Sequence, residues 1–216
     1  MISLSLSDIL PYLLLAARWT VLLSAIAFLG GGTAALLLLL LRYARAKLGA
    51  KLVFYYIELL QGTPLLLQLF LVFFGLPLLG VDVSPLLAAG VALTLYAAAF
   101  LAEIWRGCVD AVPRGQWEAS SALGLNFLLQ MQYVILPQAF RLAIPPTVGF
   151  LVQLLKATAL SSIVGFNELT RAGTIVTNAT FQPLVVYGLV ALIYFGLCYP
   201  LTVCAGILER KLARSR

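Results

Sequence analysis

The run WTVLLSAIAFLGGGTAALLLLLL, Trp19 to Leu41, contains no charged residue, and a helix that crosses the hydrocarbon of a bilayer needs ~20 consecutive apolar residues. Similar runs recur at Leu59–Val81, Val83–Ala102, Leu142–Asn167 (interrupted only by Lys156) and Leu184–Leu208. Their spacing predicts an all-α membrane protein with five transmembrane helices, at about residues 12–41, 52–79, 85–104, 140–166 and 184–208, in a single domain over 1–216. With 62% hydrophobic and 10% charged residues, the chain departs from globular composition in the same direction.

The basic residues fall in the breaks between these runs. Arg42, Arg45, Lys47 and Lys51 follow the first, Arg106, Arg114 and Arg141 the third, and Arg210, Lys211, Arg214 and Arg216 the last. If five helices alternate, these eleven of the fourteen bases share one side, and Asp8, Asp82 and Glu168 fall on the other. Cytoplasmic loops carry the excess of Lys and Arg, so the N-terminus is expected outside and the C-terminus in the cytoplasm. A net charge of +6 also raises the question of nucleic acid, but no solvated basic domain with interleaved aromatics exists here. Membrane lipid is the expected surrounding, and no nucleic-acid partner is expected.

There is no histidine, and Cys108, Cys198 and Cys204 have no paired spacing, which removes the usual zinc, haem and imidazole-base chemistries. No metal, no catalytic residue and no cofactor are assigned to this chain. The N-terminus, MISLSLSDILPYLLLAARW, lacks a basic n-region and a small-residue cleavage site, so the first apolar segment is expected to remain as an anchor.

One stretch fits neither lipid nor a soluble core: GQWEASSALGLNFLLQMQYVILPQ, Gly115 to Gln138, in the loop at about 113–137 between helices three and four. Pro113-Arg114-Gly115 makes a turn, and Gln116–Leu123 forms about two helical turns. Gly124 stands where a left-handed residue would close that helix, and Asn126 caps the next. Ala119, Ser120, Ser121 and Ala122 leave one face nearly bare, a surface that lets another protein approach the backbone, with Trp117, Leu123 and Leu125 as apolar anchors beside it. An interfacial amphipathic helix would want lysines and a broad apolar face, and this one has neither.

EASSALGLNFLLQMQYVILP resembles the EAA loop of ABC-importer permeases, through Glu118, Ala119, Ser120 (for the second Ala), Gly124, Leu136 and Pro137. ELLQGTPLLLQLFLVFFGLP (Glu58–Pro77), AEIWRG (Ala102–Gly107), VPRGQWEAS and LLKATALSSIVGFNEL (Leu154–Leu169) are similar to the polar amino acid uptake branch, in the same order, over roughly residues 12 to 210. The resemblance implies a type I importer of the bacterial inner membrane. It would have two permease subunits, two cytoplasmic ABC ATPases carrying ATP and Mg, an external solute-binding protein and a polar L-amino acid as solute. It implies that the loop is a cytoplasmic coupling helix seated on the ATPase, with Trp117, Glu118, Ala119, Ser120, Ser121, Gly124, Leu136 and Pro137 as the coupling set. The chain has no GxxxxGK[ST] loop of its own, so driving force must enter from a partner. Glu118 is expected to make a charged contact there, or to steady the helix N-terminus by ~0.3–1 kcal/mol.

A Lys at the bilayer centre costs ~2.5–3.5 kcal/mol even on insertion scales, so something polar is expected to face Lys156, with Glu103 and Glu58 as candidates. Gln61, Thr63, Gln153 and Thr158 complete the polar set for a solute pathway, and interhelical hydrogen bonding explains the glutamines equally well. Gly62-Thr63-Pro64 predicts a kink in helix two. Relatives in the family show Arg, Asn and Lys-Asp-Thr-Ser-Leu where this chain has Gln61, Gly149 and Lys156-Ala157-Thr158-Ala159-Leu160. The missing Asp points to a neutral or acidic solute. Five helices cannot enclose a pathway that opens to both sides, so a second permease, identical or similar, is expected. The rival is a secondary transporter or channel driven by an ion gradient, which usually shows inverted repeats of broken helices; none is found.

Overall fold

The computed structural model describes residues 6–43 and 47–214. Residues 1–5, Arg45 and Arg216, and the side chain of Arg214, lie outside what is described. Among the described residues the regular elements are helices: α1 (Leu6–Tyr43), α2 (Lys47–Gly62), α3 (Leu65–Leu78), α4 (Pro85–Asp110), α5 (Arg114–Ala122), α6 (Phe127–Ser162), α7 (Leu169–Thr180) and α8 (Pro183–Arg214). Four of them, α1, α4, α6 and α8, are long and apolar enough to cross a bilayer, and the bent pair α2–α3 brings the number to five.

The bundle is built on the contact of α1 with α4, where both helices are bare. Ala88, Ala89, Ala92, Ala97, Ala98, Ala99 and Ala102 of α4 are buried. Small residues let backbones approach, which is how helices gain packing energy where lipid removes the hydrophobic drive. The approach is closest at Gly31, where an added Cβ would lie 2.5 Å from the Cβ of Ala97 and 3.1 Å from backbone atoms of Ala97 and Ala98. Leucines on the other faces of α1, such as Leu15, Leu29, Leu37 and Leu40, are exposed as a lipid-facing surface should be.

The kink read at Gly62-Thr63-Pro64 is a sharp break: the chain turns by 103° between Gly62 and Leu65. Pro64 offers no N–H and its ring excludes the carbonyl of residue 60, and the residue before a proline is pushed out of the helical region. The carbonyls freed at the end of α2 are collected by two side chains. Thr63 Oγ1 donates to Leu59 O at 2.7 Å. Gln68, one turn into α3, reaches back with Nε2 to Leu60 O at 2.7 Å, Thr63 O at 3.1 Å and Thr63 Oγ1 at 3.0 Å. The 16 residues of α2 rise about 24 Å at ~1.5 Å each, and α3 leaves the axis of α2 at the break. Replacing Gln68 with Leu strips these carbonyls of their donor and should cost ~1–3 kcal/mol. The check is a lower thermal unfolding midpoint in detergent, and Gln68→Met, of similar length and without a donor, should lose as much.

Two further differences concern helix ends. The fourth long helix begins at Phe127 rather than near 140, because Asn126 caps it and because a π-turn at Met131–Ile135 absorbs Pro137. The Leu136 N–H bonds to Met131 O, five residues back, which widens the helix just before the residue that cannot donate. It ends in a 3₁₀ stretch, Thr158–Ser162, and Gly165 at φ 88° turns the chain into α7, a helix the sequence reading does not contain. Ile9, Leu13, Ala16 and Ala17 of α1, Leu169, Ala172 and Val176 of α7, and Val186 and Val190 of α8 form an apolar cluster at that end.

Candidate coupling helix and polar faces

At the opposite end of the bundle, α5 projects as a short knob. Its C-terminus closes with Gly124 at φ 75°. The Leu125 N–H bonds to Ser120 O at 3.2 Å and the Gly124 N–H to Ser121 O at 2.9 Å, the double bond pattern that a residue without Cβ permits. Asn126 Oδ1 then accepts from the Leu129 N–H at 3.1 Å and starts α6. Gln130 Nε2 donates to Ser121 Oγ and to Leu125 O, both at 2.8 Å. Gln138 Nε2 reaches Gln116 Oε1 at 3.3 Å. The knob is therefore cemented to α6.

Residues expected to meet a partner divide in two. Trp117 is turned inward, in a cluster with Val109, Val112, Met131, Ile135 and Ala139, which Tyr43 also joins. Ser120 is buried, its Oγ donating to Trp117 O at 2.9 Å. This corrects the reading of Trp117 as an outward anchor: the large ring fastens the knob to the bundle. Glu118, Ala119, Ser121, Ala122 and Leu123 remain exposed, as do Gly124, Leu136 and Pro137. Glu118 is the fifth residue of α5, past the first turn, where the stabilisation expected from the helix macrodipole is weak.

The intramembrane polar residues also separate. Glu103 does not face Lys156; it holds Arg106, one turn on, through Nε at 2.9 Å and Nη2 at 2.5 Å, and Arg106 reaches Asp110 at 2.5 Å. The i, i+3, i+7 spacing of Glu103, Arg106 and Asp110 was the legible sign of this ladder. Thr158 is buried, its hydroxyl donating to Leu155 O at 2.7 Å. Lys156 is exposed on α6 and has no ion pair with a carboxylate among the described residues. It shares a face with Gln153, Gly149 and Pro146, all exposed. Gln153 Nε2 lies 3.3 Å from Tyr96 OH. Glu58 and Gln61 likewise share an exposed face of α2, which runs on to Gly62 at the break, with Thr63 half-buried beyond it. A stripe of Pro, Gly, Gln and Lys is unsuited to lipid, so the α6 face is made for water or for another chain.

The family of binding-protein-dependent transport system inner membrane components matches residues 27–214. YckA of Bacillus subtilis, a probable amino-acid ABC transporter permease, is 36% identical over 206 residues, covering 94% of this chain and 90% of that one. ArtQ of the same organism, an arginine transport system permease, is 40% identical over 162 residues, covering 73% of each chain. Among solved structures, an amino acid ABC transporter crystallised with histidines superposes with a TM-score of 0.90 at 32% identity, covering 93% of this chain and 94% of that one. A bent second span, a cemented knob between the third and fourth long apolar helices, and likeness along nearly the whole chain agree: the chain belongs to the binding-protein-dependent transport system inner membrane components, multi-pass permeases of ABC transporters in the bacterial inner membrane.

Proposed function

We propose that this chain is one half of the pathway of an ATP-driven importer for a polar L-amino acid. Its N-terminus lies outside and its C-terminus in the cytoplasm, and α5 is gripped by a separate ATPase that binds ATP and Mg. The observation that carries this reading is the knob: a short helix fixed to α6 by Trp117, Gln130 and Gln138, offering Glu118, Ala119, Ala122 and Leu123 to a partner. A rigid knob transmits force to α6, whose far half carries Gln153 and Lys156. A second permease subunit completes the pathway, and a solute-binding protein delivers from outside. The open faces of α2 and α6, with Glu58, Gln61, Gln153 and Lys156, line the route, and Lys156 receives the solute carboxylate.

Uptake into vesicles should require ATP on the cytoplasmic side and survive collapse of the proton gradient. Uptake that instead follows the ion gradient and ignores ATP would hand the case to the secondary transporter. A cysteine at position 121, Ser121→Cys, should cross-link to the co-expressed ATPase. As to the side chain of the solute, Ala157 leaves the end of α6 without a carboxylate beside Lys156, which favours neutral or acidic amino acids. Likeness to an arginine permease makes this a sharp comparison: glutamine or glutamate should outcompete arginine by about tenfold or more, roughly 1.4 kcal/mol, and arginine as the preferred solute would overturn it.

A further inference from the structure

Glu168 has no part in the knob or in the polar faces, yet it is fully buried in a chain with few acids. It is the N-cap of α7: Oε1 accepts from the Arg171 N–H at 2.8 Å and Oε2 from the Thr170 N–H at 2.9 Å. Capping alone needs only a short Ser or Asp. The longer side chain does more. Oε2 also accepts from Tyr194 OH on α8 at 2.9 Å and lies 3.4 Å from Thr20 Oγ1 on α1, and that hydroxyl in turn accepts from the Leu169 N–H at 3.1 Å. Thr170 Oγ1 and Tyr194 OH meet at 3.1 Å. One carboxylate thus ties three helices, and beside it Gly173 brings α7 so close to α8 that an added Cβ would lie 2.7 Å from Val190. Against this fixed corner, α6 ends in the 3₁₀ stretch Thr158–Ser162 and the Gly165 turn, a common way for a helix to close.

We propose that Glu168 is a positioning residue for transport: it locks the ends of α1, α7 and α8 into one body beside the end of α6, and so holds that end of the pathway in place. Burial raises the Glu168 carboxyl above its ordinary value, with the backbone and Tyr194 donors opposing, so the network is held by donors on every side and is exacting about what replaces it. In Glu168→Gln one amide N–H must face a backbone N–H or a hydroxyl donor. Tyr194→Phe leaves the bonds from the α7 backbone N–H groups to Glu168 in place and removes the hydroxyl that ties α8 to Glu168, to Thr170 and to Thr158 of α6.

This inference rests on the importer reading, and the experiment has one arm that does not. In detergent, hydrogen exchange at the amides of residues 170–173 should quicken about tenfold or more in Tyr194→Phe, as expected when a buried hydrogen bond between helices is lost; unchanged exchange would overturn the lock whatever the protein transports. In liposomes with the ATPase and the loaded binding protein, maximal uptake should fall about tenfold or more in Glu168→Gln and several-fold in Tyr194→Phe, with the apparent KM within about twofold of wild type. If Tyr194→Phe transports normally, Glu168 is only a cap and the proposal fails. A raised KM with an unchanged maximum would place Glu168 at the solute and also refute it. Should Glu168→Gln not fold, Tyr194→Phe decides. Wild-type complexes without ATP-driven uptake would sink the importer reading, while the exchange arm would still judge the lock.

Discussion

Gly31→Leu is expected to leave almost no folded permease in the membrane fraction. The contact that forbids it is backbone against backbone: even a single Cβ at Gly31 would sit 2.5 Å from the Cβ of Ala97 and 3.1 Å from the main chain of α4, and neither can rotate away. The helices would have to separate along the most extensive contact in the bundle, undoing the buried faces of Leu23, Ala27, Leu93 and Leu101 together. Overpacking a well-filled core costs ~1–3 kcal/mol and occasionally more, and a contact without a movable side chain belongs at the upper end. The neighbouring glycine is the control. A Cβ at Gly32 meets nothing nearer than Trp105, at 3.7 Å, so Gly32→Ala should be neutral or stabilising by up to about 1 kcal/mol, since alanine is the better helix former. Membrane yield and the thermal unfolding midpoint of both variants settle the matter. Equal yields would mean that the α1–α4 approach is not as close as described.

Ala119→Trp is expected to abolish ATP-driven uptake while the permease folds and inserts as before. Ala119 is exposed on α5, so the indole meets nothing in its own chain and stability should stay within about 0.5 kcal/mol of wild type. Against a partner that closes on the bare face, the same ring holds the two surfaces apart. Losing a contact at the centre of an interface costs on the order of 2 kcal/mol or more, about a 30-fold loss of ATPase co-purification. Uptake should fall at least as far, because the knob transmits force only while gripped. Ala119→Ser, which keeps the face bare, should behave as wild type. Normal uptake by Ala119→Trp would show that nothing grips α5 there and would remove the mechanical basis of the proposed function.

Legibility in the sequence followed the range of the forces involved. The five apolar runs, the turn chemistry at Gly124 and the cap at Asn126 depend on neighbours within a few residues, and each could be read from residue type and spacing. The Pro64 break was visible as a kink, but not the 103° turn, because its angle is held by Gln68 reaching back from the next helix. The Glu103–Arg106–Asp110 ladder is legible in its i, i+3, i+7 spacing and takes Glu103 away from Lys156. An i, i+3 carboxylate and guanidinium will meet before a residue two helices away does.

Composition and spacing by themselves determined that this chain lives in lipid, where its long apolar helices lie, and where the polar knob interrupts them, since hydropathy and local backbone preference act along the chain. Which way each side chain turns was decided only by tertiary packing: Trp117 inward, Lys156 outward, Glu168 between three helices. A helix face becomes inside or outside only when another helix is laid against it, and no window of sequence contains that second helix.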